Sequence, residues 1–239
     1  MKIVAIGGGE KTPAVTHALE LTGAEKPHVL INPSSASTQA SYDRKVPMIT
    51  QYFEELGAST SVLHEYGVDP SAERLAHELG RASMIYTLGG NSPYMLRTMQ
   101  RHGSDVAIAH AMHRGLVHAG TSAGALLPFE LAHSNVAKRP AEEEWDYAYL
   151  ETLGVLPGVA TAHADQHDPT PHGLRDQSRL EALAATFPQA VDLGYAIDNH
   201  AAIAFTSDNA PQVIRSHPEA QARILRRSAT DDSISIETL

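Results

Sequence analysis

An α/β fold is predicted, with three layers in which a mostly parallel sheet is covered by helices on both faces. Three observations predict it. Short Val- and Ile-rich segments alternate with amphipathic segments of helical length through the first half of the chain. Several of these apolar segments run straight into glycine turns, as at Gly7-Gly8-Gly9, Gly89-Gly90 and Gly120. The 239 residues are 42% hydrophobic, enough for a sizeable core, and one domain spanning 1–239 is expected.

In chain order, K-I-V-A-I-G (2–7) is the first strand and 13–22 the first helix. A second strand, 27–33, leads into a serine-rich loop, and an amphipathic helix over 40–56 stops at Gly57. A strand at 59–64, a helix at 71–80 and a strand at 83–88 follow, ending in Gly89-Gly90-Asn91. Helices at 94–101 and 106–114 precede the strand 116–119. Beyond Ser122 the alternation loosens. Lys138-Arg139-Pro140 and the acidic run after it read as a surface excursion, followed by a strand at 159–162, a helix at 175–186 and strands within 196–205. Segments 213–216, 222–227 and 234–238 read as an antiparallel C-terminal edge. In open parallel sheets ligands sit beyond the carboxyl ends of the strands. The loops after Ile6, Ile31, Leu88 and Ala119 are expected to share that edge.

Composition removes several kinds of chemistry. The absence of cysteine excludes disulfides, thiolate metal sites and a cysteine nucleophile. A net charge of −10 without a basic block argues against nucleic acid as a partner. The 14 histidines are scattered and show no metal-ligand spacing such as H-E-x-x-H, so no metal or cofactor is expected. No apolar run reaches membrane-spanning length, so no membrane partner is expected. Met1 leads directly into a strand without the apolar core of a signal peptide, which gives a cytoplasmic expectation. Gly7-Gly8-Gly9 departs from the dinucleotide fingerprint and reads as a tight turn.

The stretch that promises chemistry is G-T-S-A-G, residues 120–124. A serine on a sharp strand-to-helix turn is lifted clear of the sheet, and small neighbours are needed because the turn leaves no space for side chains. The structural alternative is a helix start with Ser122 as its N-cap. Acyl transfer would also need a base, a group to orient that base, and oxyanion donors. The N–H of Ala123 and the Gly89-Gly90 turn are the donor candidates, against a plain turn capped by Asn91 or Ser92. His163, directly off a strand, is the favoured base, and His167 is the alternative. His118 and His133 read as packing or surface residues.

Taken together, L-G-G-N-S (88–92), G-T-S-A-G-A (120–125) and L-P-G (156–158) followed by His163, Asp165, Arg175 and Arg179 resemble the peptidase E family, serine peptidase family S51. The resemblance implies a class I glutamine-amidotransferase-like fold and removal of an N-terminal aspartate from dipeptides through an acyl-enzyme. It places the orienting carboxylate at Asp198, with Asp165 and Asp146 as alternatives. It also implies a cation for the substrate carboxylate, Arg175 first and Arg179 second, one helical turn apart, with Asn91 beside them. Asp165-Gln166-His167 is similar to the D-Q-H of the family's cyanophycinases, which act on β-linked Asp–Arg units. A binding member of the same fold that lacks catalysis is the rival of a different class. The expected partner is a small peptide, and a homodimer is compatible with the sequence. Thr121 before the serine and Ala162 before the histidine depart from the family pattern.

Overall fold

The computed structural model describes residues 1–135, 147–168, 177–207 and 209–239. Its first sheet has seven strands. In chain order these are β1 (Lys2–Ile6), β2 (His28–Asn32), β3 (Ser59–Val62), β4 (Met84–Thr87), β5 (Val117–Thr121), β10 (Ala201–Thr206) and β11 (Asn209–Arg215). Their spatial order is β11-β10-β1-β5-β4-β2-β3. The five strands from the N-terminal half are parallel, and β10 and β11 close one side antiparallel.

Strand alternation divides the core. Val4 and Ile6 face a cluster with Val15 and Phe53, which come from α1 (Thr12–Leu21) and α2 (Gln39–Glu55). Ile3 and Ala5 face the opposite cluster, with Leu79, Met99 and Ile108 from α3 (Ala72–Arg81), α4 (Ser92–His102) and α5 (Ser104–His113). Helix ends follow their local sequence. The Thr38 and Ser71 side chains each accept a first-turn N–H, and Gly103 ends α4 in the left-handed conformation.

Where the sequence pattern loosens, the structure builds a second sheet. Six strands are arranged β13-β12-β9-β8-β6-β7: β6 (Phe129–Ser134), β7 (Ala148–Glu151), β8 (Leu156–Ala162), β9 (Leu193–Ile197), β12 (Ala222–Arg227) and β13 (Ile234–Thr238). The α/β class with helices flanking mixed sheets therefore holds, but the strands are shared between two sheets. The expected C-terminal edge is split, with β11 on the first sheet and β12–β13 on the second. Strands β6 and β7 are absent from the sequence reading. Phe129, Leu156 and Tyr195 of the second sheet share the core cluster of Ile3 and Ala5, and Leu183 of α7 (Arg179–Ala185) covers the other face. The excursion near Lys138 lies outside the described residues. Among those described, no helix is long and apolar enough to cross a membrane.

Candidate active site

Four strand ends of the first sheet meet at one edge. Ser122 lies between the end of β5 and the start of α6 (Ala123–Leu126). Its backbone sits at φ 56° and ψ −118°, a conformation that non-glycine residues rarely hold. Close backbone packing enforces it. A Cβ at Gly120 would strike the Gly124 carbonyl, and one at Gly124 would strike the Thr87 carbonyl, so α6 lies directly on β5 and β4. The Ser122 N–H donates to Ile6 O at 2.9 Å, which ties the turn to the end of β1. Ser122 occupies the N-cap position without making a side-chain cap bond. Its hydroxyl is used elsewhere, with Oγ 2.8 Å from Nε2 of His163, a residue 41 positions downstream.

His163 follows β8, itself in the left-handed region at φ 54°. Its Nδ1 lies 2.6 Å from Oδ1 of Asn199. The Asn199 backbone N–H and side-chain Nδ2 both donate to Asp165 Oδ1, at 2.7 and 3.0 Å. Burial holds the His163 imidazole below its ordinary pKa, and the Arg179 charge adds to the lowering. The Asn199 hydrogen bond and the charges of Asp165 and Asp168 oppose it without reversing it.

Asp198 does not orient the imidazole, which corrects the sequence expectation. Its Oδ1 accepts from Arg223 Nη1 at 2.8 Å and its Oδ2 from the Gln221 N–H at 3.0 Å, so it ties β9 to β12. Burial nevertheless pushes its carboxyl above the ordinary value. Both residues lie beyond the end of β9, in the turn that leads to β10; there the Asp198 side chain is taken by Arg223 and the Gln221 N–H, and it is the next residue, Asn199, that meets His163. His167 does not meet Ser122 either. It lies on an exposed turn bridged to Ser178, while the ring bonded to Ser122 is that of His163.

Arg179 is not an open cation. Its Nε donates to Asp168 Oδ2 at 2.8 Å, Nη2 to Asp168 Oδ1 at 3.4 Å, and Nη1 to Ala162 O at 3.2 Å. Asn135, Tyr147 and Gln166 also donate to Asp168. Burial alone would raise the Asp168 carboxyl, but the Arg179 guanidinium, Tyr147 and Asn135 together hold it below the usual range. Helix α7 begins only at Arg179, where Ser178 and Glu181 form a capping box. The helix expected over 175–186 thus starts later among the described residues, and Arg175, like Asp146, lies outside them.

The Gly89-Gly90 turn reaches Ser122, since a Cβ on Gly89 would stand 3.0 Å from Ser122 Cβ. It is clamped by Lys45 Nζ donating to Gly89 O at 2.8 Å, by the Asn91 N–H donating to Ser35 O at 3.0 Å, and by Ser35 Oγ donating to Leu88 O at 2.8 Å. Asn91 caps α4, its Oδ1 accepting the Tyr94 N–H at 2.8 Å. Thr121 bonds Tyr86 Oη at 2.6 Å. His118 and His133 are buried packing residues, His133 stacked on Tyr147.

Three participants escaped the sequence reading. Asn199 sits beside the predicted acid, in the turn after β9, and no local sequence signal singles it out. Gly8, read as a plain turn, is where a Cβ would fall on the His163 ring and Asn199 Oδ1. Lys45 gave no sequence signal. Among the described residues no group of three or more His, Asp or Glu is placed to hold a metal.

A model of peptidase family S51 matches residues 3–213. The chain belongs to peptidase family S51. It is 26% identical over 230 residues to the uncharacterized peptidase YgaJ of Bacillus subtilis (strain 168), covering 92% of this chain and 90% of that protein. Its fold is similar to that of a peptidase from an acI-B1 Actinobacterium, with TM-score 0.70 and 17% identity over 100% of this chain and 96% of the other. A peptidase E candidate from Listeria monocytogenes EGD-e gives TM-score 0.64 at 18% identity, over 90% of this chain and 98% of that one.

Proposed function

We propose that this chain is a serine peptidase that hydrolyses small peptides through an acyl-enzyme. One observation carries the reading: the Ser122 hydroxyl, on a strained turn, lies 2.8 Å from an imidazole nitrogen. Ser122 Oγ attacks the peptide carbonyl while Nε2 of His163 takes its proton. The same proton then passes to the leaving amine as the C–N bond breaks, and water repeats the sequence on the ester. Asn199 takes the orienting place at Nδ1 that the sequence reading gave to a carboxylate. The Ala123 N–H, at the start of α6 and without an intrahelical acceptor, faces the oxyanion together with an amide of the Gly89-Gly90 turn. Lys45 draws the Gly89 carbonyl to itself, and a planar trans peptide then directs the Gly90 N–H the opposite way.

The substrate we favour is a dipeptide with N-terminal Asp. The family resemblance supports it, and Arg175 remains the residue proposed for the side-chain carboxylate, because Arg179 is engaged by Asp168. A cyanophycinase-like activity is less well supported, since its distinguishing base was His167.

Intact, folded protein treated with a fluorophosphonate is expected to be modified at Ser122. Folded protein that stays unlabelled would instead point to a binding member of the fold. The labelling rate should fall on acidification, because protonated His163 cannot accept from Oγ. Its pKa is lowered from the ordinary 6.5, so the midpoint of the fall should lie below that pH. A midpoint above it would contradict the buried imidazole.

A further inference from the structure

The structure assigns Asp165 as the residue that sets the tautomer of His163, acting at one remove through the side-chain amide of Asn199; the inference rests on the serine-hydrolase reading above. An amide is ambiguous as a partner, because its oxygen accepts and its nitrogen donates. Turned one way, Asn199 would hold the productive imidazole, with a proton on Nδ1 and a bare Nε2 facing Ser122. Turned the other way, it would stabilise the useless tautomer, with the proton on Nε2. A direct carboxylate has no such ambiguity, so a site built on asparagine needs something to choose for it.

Asp165 makes that choice. An ionised carboxylate only accepts, and its Oδ1 receives both the backbone N–H and the Nδ2 of Asn199, at 2.7 and 3.0 Å. With Nδ2 held there, Oδ1 of Asn199 must face His163 Nδ1, 2.6 Å away, and must accept from it. Nε2 is then the free acceptor for the Ser122 hydroxyl at 2.8 Å. The chain runs carboxylate, amide, imidazole, hydroxyl. Asp165 and His163 share one turn, closed by Gln166 N–H donating to His163 O at 2.9 Å, so the lock and the ring move together. Gly8 leaves room for the His163 ring and the Asn199 oxygen that meets it. Asp168 and Arg179 also act on the ring by charge, but they are bonded to each other and not to Asn199. Asp165 is therefore a positioning residue.

The test is the ring ¹⁵N spectrum of His163 in the full chain at neutral pH, read alongside fluorophosphonate labelling. Wild type should show Nδ1 protonated and Nε2 bare. Asp165→Ala should mix the tautomers and slow labelling of Ser122 by about tenfold to hundredfold, the range for losing one charge-assisted hydrogen bond. The loss should fall on the maximal rate and not on the reagent concentration at half saturation. Asp165→Asn, isosteric and uncharged, should lie between, and it decides the matter if the alanine variant loses its dispersed spectrum. The exchange variant Asp165→Asn/Asn199→Asp puts a carboxylate directly on Nδ1. It should restore the single tautomer and move the acid limb of labelling to higher pH, because the nearby negative charge favours the imidazolium. An unchanged tautomer in both Asp165 variants overturns the assignment. Wild-type protein unlabelled at Ser122 overturns the hydrolase reading alone, since the tautomer spectrum needs no turnover.

Discussion

The two halves of the candidate site are held in place by different physics. On the serine side the constraint is main-chain packing: Gly120, Gly124 and Gly89 each leave a Cβ position that another backbone already fills. On the histidine side the constraint is a set of polar side chains, with Asn199 on the ring, Asp165 holding Asn199, and the Arg179–Asp168 pair close by. A backbone constraint is insensitive to pH. A constraint built from polar side chains depends on charge. The serine half should therefore fail by steric substitution and the histidine half by loss of charge.

The largest expected effect separates chemistry from both constraints. Ser122→Ala should abolish labelling and cut peptide hydrolysis by roughly 10³- to 10⁶-fold, with the melting temperature little changed. A residual rate near wild type would remove Ser122 from the mechanism.

Asp168→Ala attacks the histidine side. It leaves the Arg179 guanidinium, whose side chain is only 12% exposed, without its partner, and should cost about 3–5 kcal/mol in urea unfolding. The same pair predicts the pH response. Asp168 has a depressed folded pKa, so its stabilising contribution is complete above the unfolded carboxylate value of about 3.9. That contribution is lost as pH falls through the lower folded value. An acid-unfolding curve identical in wild type and Asp168→Ala would refute the point.

Gly124→Ala attacks the serine side. Its new methyl meets the Thr87 carbonyl, and the resulting backbone shift should cost about 1–3 kcal/mol. Unlike the loss at Asp168, this one should not vary between pH 3 and 8, both figures approximate limits set by carboxylate and histidine titration.

The smallest effect has the opposite sign. Ser122→Gly relieves the residue at φ 56° and should raise stability by about 1 kcal/mol while destroying activity. A lower melting temperature would show that the turn is not strained.

The same division governs how much could be read from the sequence. The βα units through Ser122 were legible because each is a local pattern: an apolar strand, a glycine turn, a capped helix. Ser122, Gly89-Gly90 and Ala123 belong to those patterns. The histidine side was legible only in part. His163 follows its strand directly, but Asp198 was preferred to Asn199 because the resemblance pointed to a carboxylate, and which side chain of the turn after β9 faces the ring is not set by a local pattern. Arg179 was taken for a ligand cation because nothing local announces Asp168 as its partner.

By itself, then, the sequence determined the alternation that makes the first sheet and the turn that raises a serine above it, since both follow from periodicity and glycine sterics within a few residues. Only the tertiary structure decided that the later strands form a second sheet, that Asn199 and not Asp198 meets the imidazole, and that Arg179 is neutralised inside the protein. Those outcomes depend on which distant side chains are brought within about 3 Å of one another, and that spacing is set by how the two sheets pack.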